Sequence, residues 1–575
     1  MLVVMRRGVC KRPRVAYALT VMAAFLAGCG GSADRTHASV AIKPSDLTVR
    51  LGSTKQVSLR GSARVSWGLS ESGAPTYVPK YPLAVSANGR YLVDQRGHPW
   101  RIQADAAWLM SSDATPEQVD QYLTRRAAQG FDSFYLMAMV HPGGYAEVAP
   151  NAPDDQRGNP PFAKPGDFAT AGASPASQRY WRWIDSIVDK AEAHHMVVML
   201  AYSYLGWSGG DMGWYQDIVA QPSRQALFDW GVWLGNRFKN DGNIIWFALG
   251  DYGPPTGSEG SLRARAIADG IRSTGAVQPF MAEPSPPDQL PRDLPDFAPV
   301  LDMNSFYGYG REGRGAVYET ADRAWRSSPT TPAWMQEGTY EYENNWGHFS
   351  AEPWDTRRGR FWSVLAGGTA GDGFGSKDVW QWQKIPESLS SPGARYSTYA
   401  FDLFASMPWW KLEPSGADAT HTGVNLIPSG GGQWGELNYI TSARTSDHDW
   451  LLAYVPVAKE GARTFSVAMS ALAGRTRARW FDPATGNYIA ISNGYSDANA
   501  GERKFTTPGS RSDGTDDWLL VLDSTGKPRC GSITKTGRYT APTVAPTGVT
   551  CEITASRADD SSVVARARVT LKHGA

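Results

Sequence analysis

Two stretches near the middle of the chain, Met196-Val-Val-Met-Leu-Ala-Tyr202 and Asn243-Ile-Ile-Trp-Phe-Ala-Leu-Gly250, are apolar at successive positions rather than at every second one. A strand with one wet face must alternate; a strand covered on both faces need not, so such runs belong to a parallel sheet with layers packed against each side. Helical patterns stand between them. Thr115-Pro116-Glu117-Gln118 has the form of a capping box with proline at the first helical position, and Val119, Tyr122, Leu123 and Ala127 then repeat at helical spacing up to Gly130. Ser174-Pro175 opens a second helix, which carries Trp183, Ile184, Ile187, Val188 and Ala191 on one face, and a third over 226–238 precedes the second apolar run. Further apolar runs at 279–282, 300–306, 333–336 and 361–368 bring the strands to about eight. Strand and helix alternating over residues 78–412 predict a (β/α)8 TIM barrel, which takes roughly 250 residues or more.

Beyond residue 413 the helical pattern stops. Asp449-Trp-Leu-Leu-Ala-Tyr-Val-Pro456, Arg477-Ala-Arg-Trp-Phe-Asp-Pro483 and Asp517-Trp-Leu-Leu-Val-Leu522 read as short strands split by glycine-rich turns, a β-sandwich over 413–526. Strand patterns also stand at the two outer ends. Val49, Leu51, Val57, Leu59, Val65, Trp67 and Leu69 alternate near the start, and Cys530-Gly-Ser-Ile to Tyr539-Thr-Ala-Pro542 leads into Val549 to Ile553 and Val563 to Leu571 near the end. Together the two pieces resemble one bacterial immunoglobulin-like module of the invasin/intimin type. That resemblance implies a discontinuous Ig-like domain, 40–73 and 527–572, into a loop of which barrel and sandwich are inserted; two unrelated β-segments are the alternative.

The first residues read as an export signal. Five basic residues (Arg6, Arg7, Lys11, Arg12, Arg14) precede an apolar run from Val15 to Ala27, too short for a spanning helix, and then Leu26-Ala27-Gly28-Cys29. Residues 1–28 are therefore expected to be cleaved as a lipoprotein signal, with Cys29 lipidated and residues 29–39 a polar tether to the membrane. Gly30 after that cysteine resembles an outer-membrane address, so an outer-membrane or cell-surface location is expected. Losing the signal removes five basic residues and no acidic one, moving the formal charge from +1 to about −4, which argues against nucleic acid as a partner. Of four cysteines, Cys530 and Cys551 remain in a disulfide-permitting compartment and are expected to pair; two separate buried thiols are the alternative. The 23 tryptophans lean toward carbohydrate, since flat aromatic faces stack on sugar rings, and the chain is expected to act as a monomer.

A barrel presents functional groups at the C-terminal ends of its strands. Asp251 follows the run ending at Gly250, and Glu337 follows Ala333-Trp-Met-Gln336; by strand count these close the fourth and seventh strands. Glycoside hydrolysis needs two carboxyl groups flanking the scissile bond, one to protonate the leaving oxygen and one to attack the anomeric carbon or activate water. Asp251 and Glu337 are the candidate catalytic pair. Helix capping is the competing explanation for Asp251 taken alone.

The segment from Pro82 to Trp100, then Asp105-Ala-Ala-Trp108, Tyr122-Leu-Thr-Arg-Arg-Ala-Ala-Gln-Gly-Phe131, Asn243-Ile-Ile-Trp246 with Leu249-Gly-Asp251, Glu337-Gly-Thr-Tyr-Glu341, and Arg357 through Gly368 to Trp380-Gln-Trp382 resemble the apiosidase-like hydrolases, glycoside hydrolase family 140. Leu452-Ala-Tyr-Val-Pro456 and Trp480-Phe-Asp-Pro-Ala-Thr-Gly486 resemble the small sandwich that follows this barrel in many members, sometimes labelled collagen-binding; nothing in these residues argues for collagen. The resemblance implies that Asp251 is the general acid/base and Glu337 the nucleophile, with no metal or organic cofactor. A retaining enzyme would hold the two carboxyl groups about 5 to 5.5 Å apart, an inverting one beyond ~6.5 Å. Two departures stand out: Leu249 where relatives often carry a second glycine, and Met281-Ala-Glu283-Pro284 where they often show His-Pro. The second puts an acid near the sugar pocket and makes Glu283 a rival to Asp251, so the family's founding substrate, apiose in a plant pectin side chain, does not carry over with the resemblance.

The other strand ends offer sugar-recognition candidates: Asp105 and Trp108, His141, Tyr202 and Trp207, Glu283, Asn304 and Tyr307, Glu341, and Trp380. Plain packing competes for each aromatic. The leading expectation is a surface glycoside hydrolase acting on an oligo- or polysaccharide. The alternative is a non-catalytic surface glycan-binding or adhesion lipoprotein, against which the survival of both carboxylates argues. A metal-dependent hydrolase would need a histidine cluster, and His194-His195 precedes a strand, at the wrong end of the barrel.

Overall fold

The computed structural model describes residues 41–43, 46–50, 54–56, 58–60, 65–72, 78–145, 147–308, 316–345, 349–416, 421–458, 461–524, 532–533, 538–540, 550–557 and 564–572. The segments expected to be a signal and a tether, with Cys29, and Cys530 lie outside these residues. Cys551 falls within a strand whose side chains are likewise outside the description.

Eight parallel strands form the central sheet: β1 (Ile102–Ala106), β2 (Ser133–Met137), β3 (Val197–Ala201), β4 (Ile244–Leu249), β5 (Phe280–Glu283), β6 (Asn304–Tyr307), β7 (Ala333–Glu337) and β8 (Gly371–Phe374). Their order, β5-β4-β3-β2-β1-β8-β7-β6, is that of a TIM barrel cut between β5 and β6. Across that seam the Asp302 N–H donates to the Phe280 carbonyl at 2.9 Å and the Ser305 hydroxyl donates to the Ala282 carbonyl, which keeps the two strands side by side. Nearly every residue of these strands is buried, as the unbroken apolar runs require.

The longer helices are α1 (Pro116–Ala128), α2 (Pro175–Ala193), α3 (Arg224–Phe238), α4 (Glu259–Ser273), α5 (Ala316–Arg326), α6 (Pro353–Leu365) and α7 (Pro392–Ala405). Side chains of Thr115, Ser174, Ser223, Ser258 and Ser391 accept from backbone N–H groups in the first turns of α1, α2, α3, α4 and α7, and Thr115 with Gln118 completes the expected capping box. Each such cap contributes about 1 kcal/mol and fixes where the chain turns from loop to helix. Between β5 and β6 the described chain makes only a single 3-10 turn, Pro291–Asp293. Among the described residues no helix is long and apolar enough to cross a membrane.

One expected strand is misplaced. The run 361–368 begins inside α6, and the eighth strand is Gly371–Phe374. Helix α6 is buried almost all round from Arg360 to Leu365, so its sequence lacks the polar stripe that marks a surface helix. Strand β8 is disguised for the opposite reason, because its Asp372 is buried between the guanidinium groups of Arg101 and Arg360.

The sandwich has strands β9 (Leu412–Pro414), β10 (Thr441–Thr445), β11 (Trp450–Val455), β12 (Thr464–Ala468), β13 (Thr476–Phe481), β14 (Tyr488–Ala490), β15 (Glu502–Thr506) and β16 (Trp518–Ser524). Six form one sheet in the order β9-β10-β11-β16-β13-β14, and β12 pairs with β15 as a ribbon. Leu451, Ala453, Val455, Leu520 and Leu522 face the ribbon's Phe465, Val467 and Phe505. The alternate residues Leu452, Tyr454, Leu519 and Val521 belong instead to the cluster built on Phe361, Trp362 and Phe404 of the barrel helices. The sheet is thus buried on both faces, with the barrel as its second covering layer.

A buried ion pair crosses this junction. Arg357 of α6 donates through Nε and Nη2 to Asp517 at 2.8 Å each, Tyr454 donates its hydroxyl to the same carboxylate at 2.9 Å, and Arg511 pairs with it as well.

At the outer ends, strands distant in sequence pair. Residues Asp46–Arg50 run parallel to Arg568–Lys572, Val65–Ser72 run antiparallel to Thr550–Arg557, and Thr54–Gln56 pair with Arg538–Thr540.

Candidate active site

Strand β4 ends in three successive residues with positive φ: Leu249 (70°), Gly250 (121°) and Asp251 (54°). This turn swings the Asp251 carboxyl inward over the barrel mouth. Gly250 is required there, because a Cβ at that position would lie 2.2 Å from the ring of Tyr204. Its N–H donates to the Glu283 carbonyl at 2.9 Å, tying the end of β4 to β5. Aspartate tolerates the left-handed region, but leucine pays about 1–2 kcal/mol to enter it. Leu249 is nevertheless only 2 % exposed, and truncating a buried leucine costs about 2–5 kcal/mol. Leu249→Gly is therefore expected to lower stability by roughly 1–3 kcal/mol despite the relief of the backbone; a thermal melt showing a more stable variant would reverse that ordering of the two effects.

The Asp251 carboxyl accepts two hydroxyl protons, from Tyr204 at 2.5 Å on Oδ2 and from Tyr307 on Oδ1. Glu337 ends β7, opposite β4, and Glu283 ends β5 between them in the sheet's circular order. A carboxylate oxygen from each of the three lies within 4.8 Å of the others. Asp251 and Glu337 keep part of their surface open to solvent, whereas Glu283 is 1 % exposed and lies beneath them. Burial raises the Asp251 carboxyl above its ordinary value, and the two tyrosine hydroxyls pull it back. Burial raises Glu283 much further, reinforced by the charges of Glu337 and Asp251. Tyr204 and Tyr307 are held protonated by burial and by the charge of Asp251, so they are fixed donors. Three acids so close could also gather round a hard cation. The hydroxyl protons aimed at both Asp251 oxygens favour proton chemistry instead.

Among the other expected site residues, Trp108 and Tyr307 stand at this mouth. Trp108 stacks on Tyr135 at 4.6 Å, tilts against Tyr204 and donates to the Tyr340 hydroxyl at 2.8 Å. Trp380 meets Tyr145 edge-on and donates to Glu343 at 2.7 Å, and Trp207 lies on the rim, 40 % exposed. His141 braces the loop after β3 through the Asp211 carbonyl and the Asp217 carboxylate.

Four expected residues point elsewhere. Asp105 is fully buried, taking the Arg126 guanidinium at 2.6 Å and the Tyr122 hydroxyl at 2.8 Å between β1 and α1. Glu341 accepts from the Gly393 N–H at the start of α7, where a carboxylate suits the helix dipole. Tyr202 packs edge-on to Trp246 and Phe280 on the outside of the sheet, and Asn304 holds the Ala324 carbonyl and Ser327 behind β6. The sequence reading passed over Tyr135, Tyr145 and Tyr204. Tyr135 occupies the middle of β2, where an inward register was open to inspection. Tyr145 lies in a loop that carries no periodic signal.

A parallel barrel with two carboxyl groups facing each other above the ends of opposite strands is the arrangement of a glycoside hydrolase. Residues 86–411 match the apiosidase-like catalytic domain, and the chain belongs to that family and is a glycosidase. Residues 430–523 match a domain described as the collagen-binding domain of a collagenase. One solved glycoside hydrolase is 20% identical with a TM-score of 0.65, over 79% of this chain and 100% of that one. A family 5 glycoside hydrolase from Bacteroides vulgatus is 19% identical with a TM-score of 0.63, over 81% of this chain and 98% of its own. At these identities the likeness is one of fold. Among curated proteins none matches.

Proposed function

We propose that the protein hydrolyses an O-glycosidic bond of an oligo- or polysaccharide with retention of anomeric configuration, Asp251 serving as acid/base and Glu337 as nucleophile. The observation that carries this reading is the approach of the two carboxyl groups across the mouth, each with an oxygen within 4.8 Å of one on the other. So close an approach of the oxygens suits the carboxyl spacing of about 5 to 5.5 Å that retention uses better than the spacing of about 6.5 Å or more that inversion uses.

Asp251 gives its proton to the glycosidic oxygen as the bond from that oxygen to the anomeric carbon breaks, and a Glu337 oxygen bonds to the same carbon, forming a glycosyl ester. The aglycone leaves as an alcohol. Asp251, now ionised, takes a proton from water as the water oxygen attacks the anomeric carbon and the ester bond breaks, returning Glu337 to a carboxylate. Tyr204 and Tyr307 suit the acid to both halves: their hydroxyls bond more strongly to the ion than to the acid, easing proton release, while burial keeps the proton in place before substrate arrives. Trp207 and Trp380 are the aromatic surfaces on which sugar rings would stack, while Trp108, 5 % exposed, packs against Tyr135 and Tyr204.

The setting completes the proposal. Cys29 would carry the lipid that holds the enzyme to the membrane at the cell surface. The paired end strands would be one Ig-like module, stapled by Cys530 and Cys551, through which both ends of the catalytic unit pass. Hydrolysis of a panel of plant and bacterial glycans, with the anomer first released read by proton NMR, tests the reaction. Release of the opposite anomer would overturn retention, and no release from any glycan by a folded protein would favour a glycan-binding role.

A further inference from the structure

The Glu283 carboxyl is buried, and neither of its oxygens makes a formed hydrogen bond among the described residues. The groups in reach are the Asp251 backbone N–H and the Glu337 carboxyl. A buried ion with no partner is far costlier than a buried neutral acid. Two carboxyl groups pressed together resolve that cost by sharing one proton. Which member keeps it follows from their surroundings: Glu337 opens to solvent that can hydrate a charge, and Glu283 does not.

Resting on the catalytic reading above, we propose that Glu283 is a positioning residue, a neutral carboxylic acid whose O–H donates to the Glu337 carboxylate and fixes the nucleophile. A hydrogen bond from a neutral acid to a carboxylate is short and strong, and it holds one Glu337 oxygen so that the other faces the anomeric carbon. The bond tracks the reaction. It weakens when Glu337 becomes an ester and strengthens again as the carboxylate leaves, favouring breakdown of the intermediate. The titratable groups facing Glu283 are Asp251 from β4, Glu337 from β7, Tyr135 from β2, Tyr145 from the loop after β2, Tyr204 from the loop after β3 and Tyr307 from β6. The tyrosines are raised by burial and stay neutral, so at working pH the two acids and Glu337 carry the site's proton balance.

Glu283→Gln keeps a neutral donor and Glu283→Ala removes it. On a hydrolysed glycan, Glu283→Gln is expected to keep at least about a tenth of wild-type kcat/KM and to move the alkaline limb of its pH profile by less than about half a unit, because no charge has been removed. Glu283→Ala is expected to lose about 10²-fold and to shift the acid limb upward as Glu337 loses its donor. An ionised Glu283 predicts otherwise: glutamine would then remove a negative charge and drop the alkaline limb by about a unit or more. That result, or a Glu283→Gln enzyme as inactive as Glu337→Gln, overturns the proposal.

Stability gives a readout free of catalysis. A carboxyl raised by folding stabilises fully below its unfolded value of about 4.3 and less as pH climbs toward its folded value. Glu283→Gln should therefore gain Tm over wild type progressively from pH 5 to pH 8, and a constant Tm difference across that range overturns the neutral acid. Activity that survives Glu337→Gln would sink the catalytic reading instead, and the Tm series would still decide the state of Glu283.

Discussion

Glu337→Gln is expected to lower kcat/KM by at least about 10³-fold on every substrate the enzyme accepts, whatever the leaving group. The amide is nearly isosteric but carries no charge and makes a poor nucleophile. Asp251→Asn is expected to lose about 10²–10⁴-fold on natural glycosides, whose alkoxide leaving groups need a proton, and much less in the first step on aryl glycosides whose phenolate leaves without one. The split between substrates separates acid from nucleophile in a way that loss of activity alone does not. Equal losses on both substrate types for Asp251→Asn would count against its role as the acid and return attention to Glu283. Tyr307→Phe belongs to the same test, since it removes a donor that favours the ionised acid.

Asp517→Ala is expected to cost about 3–5 kcal/mol, visible as a lower Tm and as proteolysis at the barrel–sandwich junction. The side chains of Arg357 and Asp517 are 1% and 0% exposed, so deleting the Asp517 carboxylate leaves the buried Arg357 charge with the Thr515 hydroxyl at 2.9 Å and the Asp513 carboxylate at 3.8 Å in its place. Burial alone would raise the Asp517 carboxyl, but the hydrogen bonds and charge of Arg357, together with Arg511, outweigh it and hold the group below its ordinary value. The sign follows: the pair stabilises above the unfolded value of about 3.9, and that contribution is lost as pH falls through the lower folded value. Wild type and variant should therefore converge in stability only in strong acid. A variant that melts like wild type at neutral pH would show that the junction rests on its apolar contacts alone.

The barrel, and the places of Asp251 and Glu337 at the ends of its strands, were legible because each leaves a local mark. Asp251 and Glu337 stand at the ends of unbroken apolar runs, and the helices announce themselves through Thr115, Ser174 and the prolines that follow. What failed depended on partners far away in sequence. Asp105 stood among the sugar-recognition candidates until Arg126 and Tyr122 met it, and Glu341 until the start of α7 did. Tyr202 and Tyr204 are both tyrosines beyond the same strand, and only the direction of the chain after Ala201 decides that the second reaches Asp251. Helix α6 hid because the sandwich covers the face that would otherwise be polar. No periodicity in one segment can report a covering layer supplied by another.

The pairing of the outer strands sets an order of assembly. Asp46 pairs with Arg568, about 520 residues later, so Asp46–Arg50 waits for that neighbour until residues 568–572 have been made, whereas Ala41–Lys43 finds Ser58–Arg60 close by. Barrel and sandwich, whose contacts close sooner, can form first, while Asp46–Arg50 and Val65–Ser72 still lack their partners from residues 550–572. A chain lacking Val564–Lys572 would then carry an assembled barrel and sandwich beside an unpaired, adhesive strand, which makes that late segment a checkpoint on whether the molecule stays clear of aggregation.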